Sequence, residues 1–221
     1  MSQQITEAFC CWSGGKDSTF ALYRSLKNFK VTYLLNMISE DGKYSRSHGI
    51  KASLLKWQAE TAGIKIIQRK SSLENYEKEF KKTILNLKTE KVTTGIFGDI
   101  DVQEHRDWIE RVCQEAGITP VFPLWKCKRE EIVNEFIQAG FKAIVVSTNA
   151  KFLGSEWLGR KIDGEFINDL KNLCNIDLCG EAGEYHTFVF NGPIFKNPLE
   201  FIIGEKKLKD NRWFLDIKKE G

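Results

Sequence analysis

The sequence predicts an α/β fold, with a doubly wound parallel sheet in residues 1–150 and a smaller α+β lobe in residues 151–221. Short apolar runs typical of buried parallel strands alternate with helical patterns throughout the first segment. This alternation favours right-handed βαβ crossovers within one layered domain. After residue 184 short alternating strand patterns follow one another, which indicates a small sheet covering one side of a cleft.

Apolar runs mark the expected strands of the parallel sheet, at residues 8–12, 31–38, 64–69, 92–101, 118–122 and 141–148. Helices are predicted between them, at residues 20–26, 50–62, 73–89, 102–116 and 129–139. Glycine follows three of these helices as a C-cap, and a further helix is expected near residues 162–172. Ligands of open parallel sheets bind outside the carboxyl ends of the strands, so we expect the functional site there.

The composition is that of a globular protein and demands neither a membrane nor nucleic acid as a partner. Hydrophobic residues make up 42% and charged residues 29%, and the formal net charge of +3 is close to balance. No run of eighteen apolar residues and no signal-peptide pattern occurs, so we expect a cytoplasmic protein. The six cysteines include no Cys-x-x-Cys pair and are expected to be reduced thiols.

The loop at residues 13–18 has the composition of a phosphate-binding turn between the first strand and the first helix. Two glycines allow positive φ and let successive backbone amides converge on one anion. The helix N-terminus, a lysine and two serine hydroxyls add positive potential and donors. The residues expected to bind ATP phosphates are therefore Ser13, Gly14, Gly15, Lys16, Asp17 and Ser18. A glycine turn that merely caps an ordinary helix is the alternative interpretation.

Further charged residues lie near the ends of neighbouring strands. A carboxylate beside a phosphate needs a cation between them, so Asp17 predicts Mg²⁺ held jointly with the nucleotide. His48 follows the second strand and is placed to reach the nucleotide, although a lone histidine usually belongs to a solvated loop. Asp99 and Asp101 lie at the carboxyl end of the predicted fourth strand and are candidate catalytic carboxylates.

The loop sequence Ser-Gly-Gly-Lys-Asp-Ser resembles the signature of the N-type ATP pyrophosphatases, which cleave ATP between its α- and β-phosphates. That resemblance implies a PP-loop and an adenine nucleotide alpha hydrolase-like fold of the HUP type. Other segments resemble the diphthine–ammonia ligase family, at residues 98–100, 106, 111–113, 123–125, 156–160 and 180–187. Ala182 and His186 depart from the eukaryotic form of the last motif and place the chain with shorter prokaryotic relatives.

The family resemblance implies ATP-dependent amidation of a carboxylate, in diphthamide biosynthesis on a modified histidine of a translation elongation factor. The carboxylate attacks the α-phosphorus, pyrophosphate leaves, and ammonia displaces AMP from the acyl-adenylate. Lys16 and the amides of the two loop glycines would stabilise charge on the departing pyrophosphate. Catalytic roles are implied for Lys16, Asp17, Asp99 and Glu184, and the ATP site also includes His48 and Gly98.

The substrate that the resemblance implies carries a trimethylammonium group, which aromatic faces beside carboxylates bind well. The residues expected to contact this acceptor are Trp157, Arg160, Glu181, Glu184, Tyr185 and His186. Simple packing between lobes is an equally weighted interpretation of the tryptophan. After the sheet and the small lobe are built, no residues remain for a glutaminase domain, so free ammonia or another amine is expected.

Several alternatives stay open at this stage. The chain could adenylate another carboxylate or a nucleic acid, although a nucleophilic cysteine pair and a basic stripe are not evident. It could also be a sensor that binds adenine nucleotides without turnover, although acidic residues at a polyphosphate site argue for metal-dependent chemistry. Cys174 and Cys179 could bind a metal with His186, although zinc sites usually have closer spacing.

Overall fold

The computed structural model describes residues 6–46 and 48–220. Strands and helices alternate along most of this part of the chain. In chain order they are β1 (Thr6–Cys11), α1 (Lys16–Ser25), β2 (Phe29–Ile38), α2 (Ala52–Ala62), β3 (Lys65–Lys70), α3 (Tyr76–Thr89), β4 (Thr94–Ile96), α4 (Gln103–Ala116), β5 (Thr119–Val121), α5 (Arg129–Gln138), β6 (Lys142–Asn149), a 3₁₀ turn (Ser155–Trp157), α6 (Gly164–Lys171), β7 (Tyr185–Asn191), β8 (Phe201–Lys209) and β9 (Arg212–Lys219).

The first lobe contains a parallel sheet with the strand order β3-β2-β1-β4-β5. Side chains alternate across its central strand, so that Ala8 and Cys10 enter one core and Phe9 enters another. The first core includes residues of α1 and α2, and the second includes residues of α3 and α4. Helices therefore cover both faces of the sheet, and the predicted doubly wound α/β fold is confirmed.

The strand order reverses between β1 and β4, because the chain builds outward from β1 in one direction and then restarts on its other side. At such a switch point the loops after two neighbouring strands diverge and leave a crevice. The loop at residues 13–18 follows β1, and the segment beginning at Gly98 follows β4. The fold therefore brings the two most distinctive sequence segments to one place.

The second lobe is built on an antiparallel sheet with the strand order β7-β6-β9-β8. The prediction that residues 141–148 form the sixth strand of the parallel sheet is wrong, because β6 pairs antiparallel with both β7 and β9. Six consecutive residues of β6 are buried, from Ala143 to Thr148. A continuous apolar run is typical of any strand buried on both faces, so its pattern does not identify its sheet.

The division into residues 1–150 and 151–221 stays a prediction. Since β6 belongs to the second sheet, we propose instead a boundary between β5 and β6, which keeps each sheet within one lobe. The predicted C-caps after α2 and α4 are present, because Gly63 and Gly117 both adopt left-handed φ values of 69° and 64°. In the described part of the chain, no helix is both long and apolar enough to cross a bilayer.

Candidate active site

A cleft of about 290 Å³ lies at the switch point, outside the carboxyl ends of β1 and β4. The loop at residues 13–18 forms its floor, and α3 supplies Tyr76 and Phe80 to one side. The second lobe forms the opposite wall with residues 179–187, which precede and begin β7. The cleft is therefore shared between both lobes, as the strand patterns after residue 184 predict.

The loop after β1 has the backbone geometry of an anion-binding turn. Gly14 has a φ of 77°, and a Cβ there would lie 2.3 Å from Leu55 Cδ2 and 2.5 Å from Gln58 Oε1. The hydroxyls of Ser13 and Ser18 lie 3.0 Å apart, and Gly15 N donates to Ser13 Oγ over 3.3 Å. Helix α1 begins within this segment, at Lys16, so its N-terminus and the positive end of its dipole face the cleft.

The end of β4 packs tightly against the same loop. A Cβ on Gly98 would lie 2.9 Å from both the Asp17 carbonyl carbon and the Ser18 nitrogen. Only glycine permits this separation, because real Cβ atoms essentially never come so close to backbone. Gly98 thus sets the distance between the two strand ends, and Asp99 follows it into the cleft.

Lys16 is the most constrained charged group of the cleft. Its side chain is 4% exposed, and Nζ lies 2.9 Å from both carboxylate oxygens of Asp17. Nζ also donates to the backbone oxygen of Cys179, and it lies 5.4 Å from the centre of the Tyr185 ring. Burial opposes its charge, but the charge and hydrogen bond of Asp17, together with smaller contributions from Tyr185 and Cys179, raise the pKa of Lys16 above its ordinary value. A full positive charge is therefore fixed beside the glycine loop.

The segment from Asp177 to Glu184 brings Cys179 to Lys16 and is organised around one carboxylate. Asp177 Oδ1 accepts from Cys179 N over 2.9 Å, and Oδ2 accepts from Glu181 N over 2.7 Å. Arg129 Nη1, from the start of α5, lies 3.0 Å from the same carboxylate. Glu184 is 2% exposed and its Oε1 accepts from Asp177 N over 3.1 Å, so it supports this segment from behind.

Two groups in the cleft have ionisation properties suited to proton transfer near neutral pH. Burial and the neighbouring Asp17 carboxylate raise the pKa of Glu181 to about 7. His105 Nδ1 lies 3.5 Å from Asp99 Oδ1, and that carboxylate raises the pKa of His105 above its ordinary value. A carboxyl group with a pKa raised to about 7 and an imidazole held by a carboxylate are typical of sites that accept or donate protons.

His48 and His186 come from different lobes and stack in parallel, with ring centres 4.3 Å apart and planes 16° apart. Burial and the charge on Lys16 lower the pKa of His48 to about 3. Burial and the adjacent His48 likewise lower the pKa of His186. Both rings are therefore neutral at physiological pH. A Cβ on Gly15 would lie 2.6 Å from His48 Cε1, which places the stacked pair directly against the glycine loop.

Comparison with known protein families decides the relationship of the chain. A family model for the Diphthamide synthase N-terminal domain matches residues 6–120, and one for the Diphthamide synthase C-terminal domain matches residues 128–221. The chain belongs to the diphthamide synthase family. Its sequence resemblance to the diphthine–ammonia ligases is thereby confirmed.

Several curated relatives of this chain are named diphthine–ammonia ligase. The zebrafish (Danio rerio) protein is 24% identical over 214 residues, which cover 85% of this chain and 83% of that protein. The Schizosaccharomyces pombe protein is 29% identical over 210 residues, covering 83% of this chain. The cattle (Bos taurus) protein is 30% identical over 94 residues, or 41% of this chain. The matches span only 34% of the yeast protein and 35% of the cattle protein.

One solved structure also aligns with this chain. It is described as a predicted subunit of tRNA methyltransferase from Methanocaldococcus jannaschii. The alignment covers 83% of this chain and 96% of that chain, with 16% sequence identity and a TM-score of 0.43. Similarity at this level supports no conclusion about the chain, and we draw none from it.

The cleft contains most of the residues that the sequence predicts for a nucleotide site. Its lining includes Ser13, Lys16, Asp17, Ser18, His48, Gly98 and Asp99. Gly14 and Gly15 shape the loop beneath them. Of the predicted acceptor residues, the lining includes Glu181, Tyr185 and His186. Tyr185 is buried, and its hydroxyl donates to Leu178 O over 2.5 Å.

Three predicted acceptor residues, Trp157, Arg160 and Glu184, do not line the cleft. Glu184, which is also a predicted catalytic residue, lies behind the wall, where it supports the Asp177 segment. Trp157 packs its ring 5.6 Å from that of Phe166, and the Arg160 guanidinium lies 4.5 Å over the Trp157 ring. Arg160 also pairs with Asp169 of α6 over 2.5 Å. These contacts favour the packing interpretation of the tryptophan. The acceptor-binding roles of Trp157, Arg160 and Glu184 and the catalytic role of Glu184 stay predictions, and the geometry of the cleft does not favour them.

Two other sequence hypotheses find no geometric support. Asp101 forms an ion pair with Arg129 over 2.8 Å on the surface and does not line the cleft. Within residues 6–46 and 48–220, no group of three histidine, cysteine or acidic side chains is arranged to hold a metal ion. This search includes Cys174, Cys179 and His186, which the sequence left open as a metal site.

The structure also adds cleft residues that the sequence did not indicate. Asn36 lies in β2, is 2% exposed, and donates to Trp12 O over 2.8 Å. A polar residue within an otherwise apolar strand is the signal that could have identified it. Tyr76 and Phe80 lie one turn apart in α3, a helix whose exposed charges suggest only a scaffold. Asp177 has no distinctive sequence context, since its role depends on backbone amides that follow it.

Proposed function

We propose that the chain is an ATP-dependent ligase that joins a carboxylate to ammonia and releases AMP and pyrophosphate. The observation that carries this proposal is the buried Lys16 ammonium within the PP-type loop at the switch point of a parallel sheet. The name diphthine–ammonia ligase, which the curated relatives carry, supports a carboxylate acceptor and an ammonia donor. Diphthine itself is the acceptor we propose.

The loop would bind the β- and γ-phosphates of ATP through the amides of Gly14 and Gly15 and the hydroxyls of Ser13 and Ser18. When the bond between the α- and β-phosphates breaks, negative charge grows on the departing pyrophosphate. Lys16 would exchange its contacts with Asp17 and Cys179 for this charge and stabilise it. Charge stabilisation and positioning are the main contributions that a protein makes to phosphoryl chemistry.

Magnesium fits this cleft as an ion shared with ATP. The lining offers the carboxylates of Asp17 and Asp99, which are the hard oxygen ligands that Mg²⁺ prefers. Two carboxylates with phosphate oxygens and water suffice for Mg²⁺, whereas an all-protein cage is not needed. The bound ion would neutralise charge on the phosphates. Asp17 would be free to take this role once ATP attracts Lys16.

The second half of the reaction requires a base, because ammonia carries a proton at neutral pH and the attacking nitrogen loses another. Glu181 is suited to this role, since its pKa of about 7 allows it to accept a proton and return it to solvent. The imidazole of His105, held by Asp99, also lines the cleft and would pass that proton outward. Tyr185 and His186 would then line the path of the acceptor.

Incubation of the protein with ATP, Mg²⁺, ammonium and candidate carboxylates tests this function directly. AMP and pyrophosphate should form together, and only when a suitable carboxylate is present. Formation of ADP would rule out cleavage between the α- and β-phosphates. Tight binding of ATP without any turnover over the whole carboxylate panel would favour the nucleotide-sensor alternative instead.

A further inference from the structure

A second and larger cavity, of about 690 Å³, lies between the two lobes on the other side of His48. It runs along the β8–β9 hairpin, and we call it the hairpin groove, lined by Tyr44, Ile50, Leu54, Lys207, Phe214 and Ile217. His48 lines both the hairpin groove and the nucleotide cleft. A molecule in the groove would therefore lie next to the glycine loop.

The hairpin groove is a built feature with a firm floor. Phe214 lies so close to Gly49 that a Cβ on that glycine would be 2.8 Å from Phe214 Cε1. Lys51 from the first lobe forms an ion pair with Asp216 from the hairpin. Ile50, Leu54 and other buried apolar side chains close the bottom. Contacts between the lobes thus hold the two walls of the groove together.

One rim of the hairpin groove is a sheet edge that offers backbone donors and acceptors. β8 is the last strand of its sheet, and within the described residues no strand pairs with its outer side. Eight of its nine residues are exposed. They include Ile202, Ile203 and Leu208, whose exposed fractions are 54%, 53% and 54%. A strand with an open edge and exposed aliphatic side chains is a template for an added strand.

The charge of this rim selects the kind of partner. Residues 201–219 contain six basic and three acidic side chains, a net charge of +3 that equals the net charge of the whole chain. Lys206, Lys207 and Lys209 all lie on the open strand. Lysines at a sheet edge discourage pairing with another copy of the same chain. The same charges attract an acidic strand, so the rim discriminates between these two partners.

We propose that the hairpin groove docks an extended acidic segment of a partner protein, which adds to the edge of β8 and places alternate apolar side chains in the groove. Alternate residues of a strand point to one face, so aliphatic residues would enter the groove while acidic residues meet the lysines. Resting on the proposed function, the partner is the protein that carries the acceptor carboxylate. Docking beside His48 would deliver that carboxylate to the nucleotide cleft.

The test uses a fluorescein-labelled peptide that alternates glutamate and valine over nine residues, the length of β8. Binding to the full chain is measured by fluorescence anisotropy, against a lysine–valine peptide and a glutamate–valine peptide interrupted by proline. We expect the uninterrupted acidic peptide to bind about tenfold or more tightly than either comparison peptide. Amide hydrogen exchange should slow in β8 when this peptide binds, because an added strand protects its outward N–H groups.

The variant Lys207→Glu/Lys209→Glu should weaken binding of the acidic peptide about tenfold or more. The matched control Lys27→Glu/Lys78→Glu makes the same charge change at exposed sites away from the groove and should bind like the unmodified chain. Equal affinity for the acidic and basic peptides, no binding at about 1 mM protein, or protection outside β8 would overturn the proposal. So would a concentration-dependent dimer that the groove variant dissociates, because a second copy would then be the occupant.

These measurements need no turnover, so they separate two kinds of failure. Loss of peptide binding leaves the ligase proposal intact, provided that AMP and pyrophosphate still form. Failure of the ligase proposal appears instead as an absence of those products in a protein that still binds the acidic peptide. Affinity for a nonhydrolysable ATP analogue should be equal in the groove variant and its control.

Discussion

Replacing Lys16 with methionine is the sharpest test of the chemistry, since methionine keeps most of the aliphatic length and removes only the charge. The ammonium is 4% exposed, so bulk water has little room to substitute for it. Loss of one preorganised donor to developing charge typically lowers a rate by about 10²–10³. We therefore expect Lys16→Met to slow pyrophosphate release by that factor.

The affinity for ATP should fall much less than the rate. The Lys16 ammonium already contacts Asp17 and Cys179 O, so binding of ATP would exchange these partners for phosphate oxygens. The exchange cancels much of the attraction in the ground state, whereas charge that grows later in the reaction is stabilised in full. We expect about a tenfold loss of affinity at most, against the larger loss of rate.

The same substitution has a predictable effect on stability. It leaves the Asp17 carboxylate without its partner at a site where the side chain is only 21% exposed. Breaking a fully buried ion pair costs about 3–5 kcal/mol, and the partial exposure of Asp17 reduces this to about 1–3 kcal/mol. Burial already raises the pKa of Asp17, so the variant should regain part of this stability as the pH falls and the carboxylate takes up a proton.

Three measurements separate these effects. Pyrophosphate release gives the rate, calorimetric titration with a nonhydrolysable ATP analogue gives the affinity, and denaturant unfolding gives the free energy of unfolding. Lys27→Met is the matched control, because Lys27 is exposed in the turn after α1. A Lys16→Met rate equal to that of the control would refute the role assigned to the ammonium. A loss of affinity as large as the loss of rate would refute the partner-exchange argument.

Substitutions at three further positions test the wall and the floor of the cleft. If Glu181 is the base, kcat/KM for ammonium should rise with pH through about 7, and Glu181→Gln should remove that rise while leaving ATP affinity unchanged. The raised pKa of Glu181 makes the folded state bind this proton more tightly than the unfolded chain, so the group lowers the free energy of unfolding as pH rises from 4.5 to about 7. Glu181→Gln should abolish that loss. An unaltered pH dependence of unfolding in the variant would contradict the prediction. Gly98→Ala should destabilise the protein by about 1–3 kcal/mol and reduce ATP affinity, because the new Cβ would lie 2.9 Å from the loop backbone. The control in thermal unfolding is Gly164→Ala, whose Cβ would have no neighbour within 4 Å. Asp177→Asn should lower the free energy of unfolding by about 1.5–3 kcal/mol, because an amide cannot replace a carboxylate that accepts two N–H bonds and pairs with Arg129. If denaturant unfolding equals that of the unmodified chain, contacts other than those of Asp177 hold the segment in place.

The sequence is a good guide where structure depends on local pattern. The segment at residues 13–18 joins a strand to a helix as predicted, because glycine geometry and a helix start are local properties, although α1 begins at Lys16 and not at residue 20. Gly98 and Asp99 meet this loop because parallel strands bring their carboxyl ends to one edge. Sequence reasoning therefore brings most residues of the predicted nucleotide site to one cleft without any knowledge of packing.

The sequence is a poor guide where a role depends on distant partners. β6 has a pattern that suits either sheet, and only its pairing with β7 and β9 decides between them. Trp157 has the aromatic face that an acceptor site would need, yet the neighbouring Phe166 and Arg160 cover it. Asp177 looks like any loop aspartate until its hydrogen bonds to the following amides are seen. In each case the deciding contacts are tertiary.

The backbone of the glycine loop is held by residues that are synthesised much later. Lys16 N donates to Thr187 Oγ1 across 171 positions of sequence, and Val189 N donates to Gly14 O over 3.1 Å. Gln58 joins the same region by donating to the carbonyls of both Gly14 and Val189. Contacts of such long sequence separation form late in folding, because their loop-closure entropy must be overcome first. A nascent chain would therefore complete the proposed nucleotide site only after β7 has left the ribosome and docked.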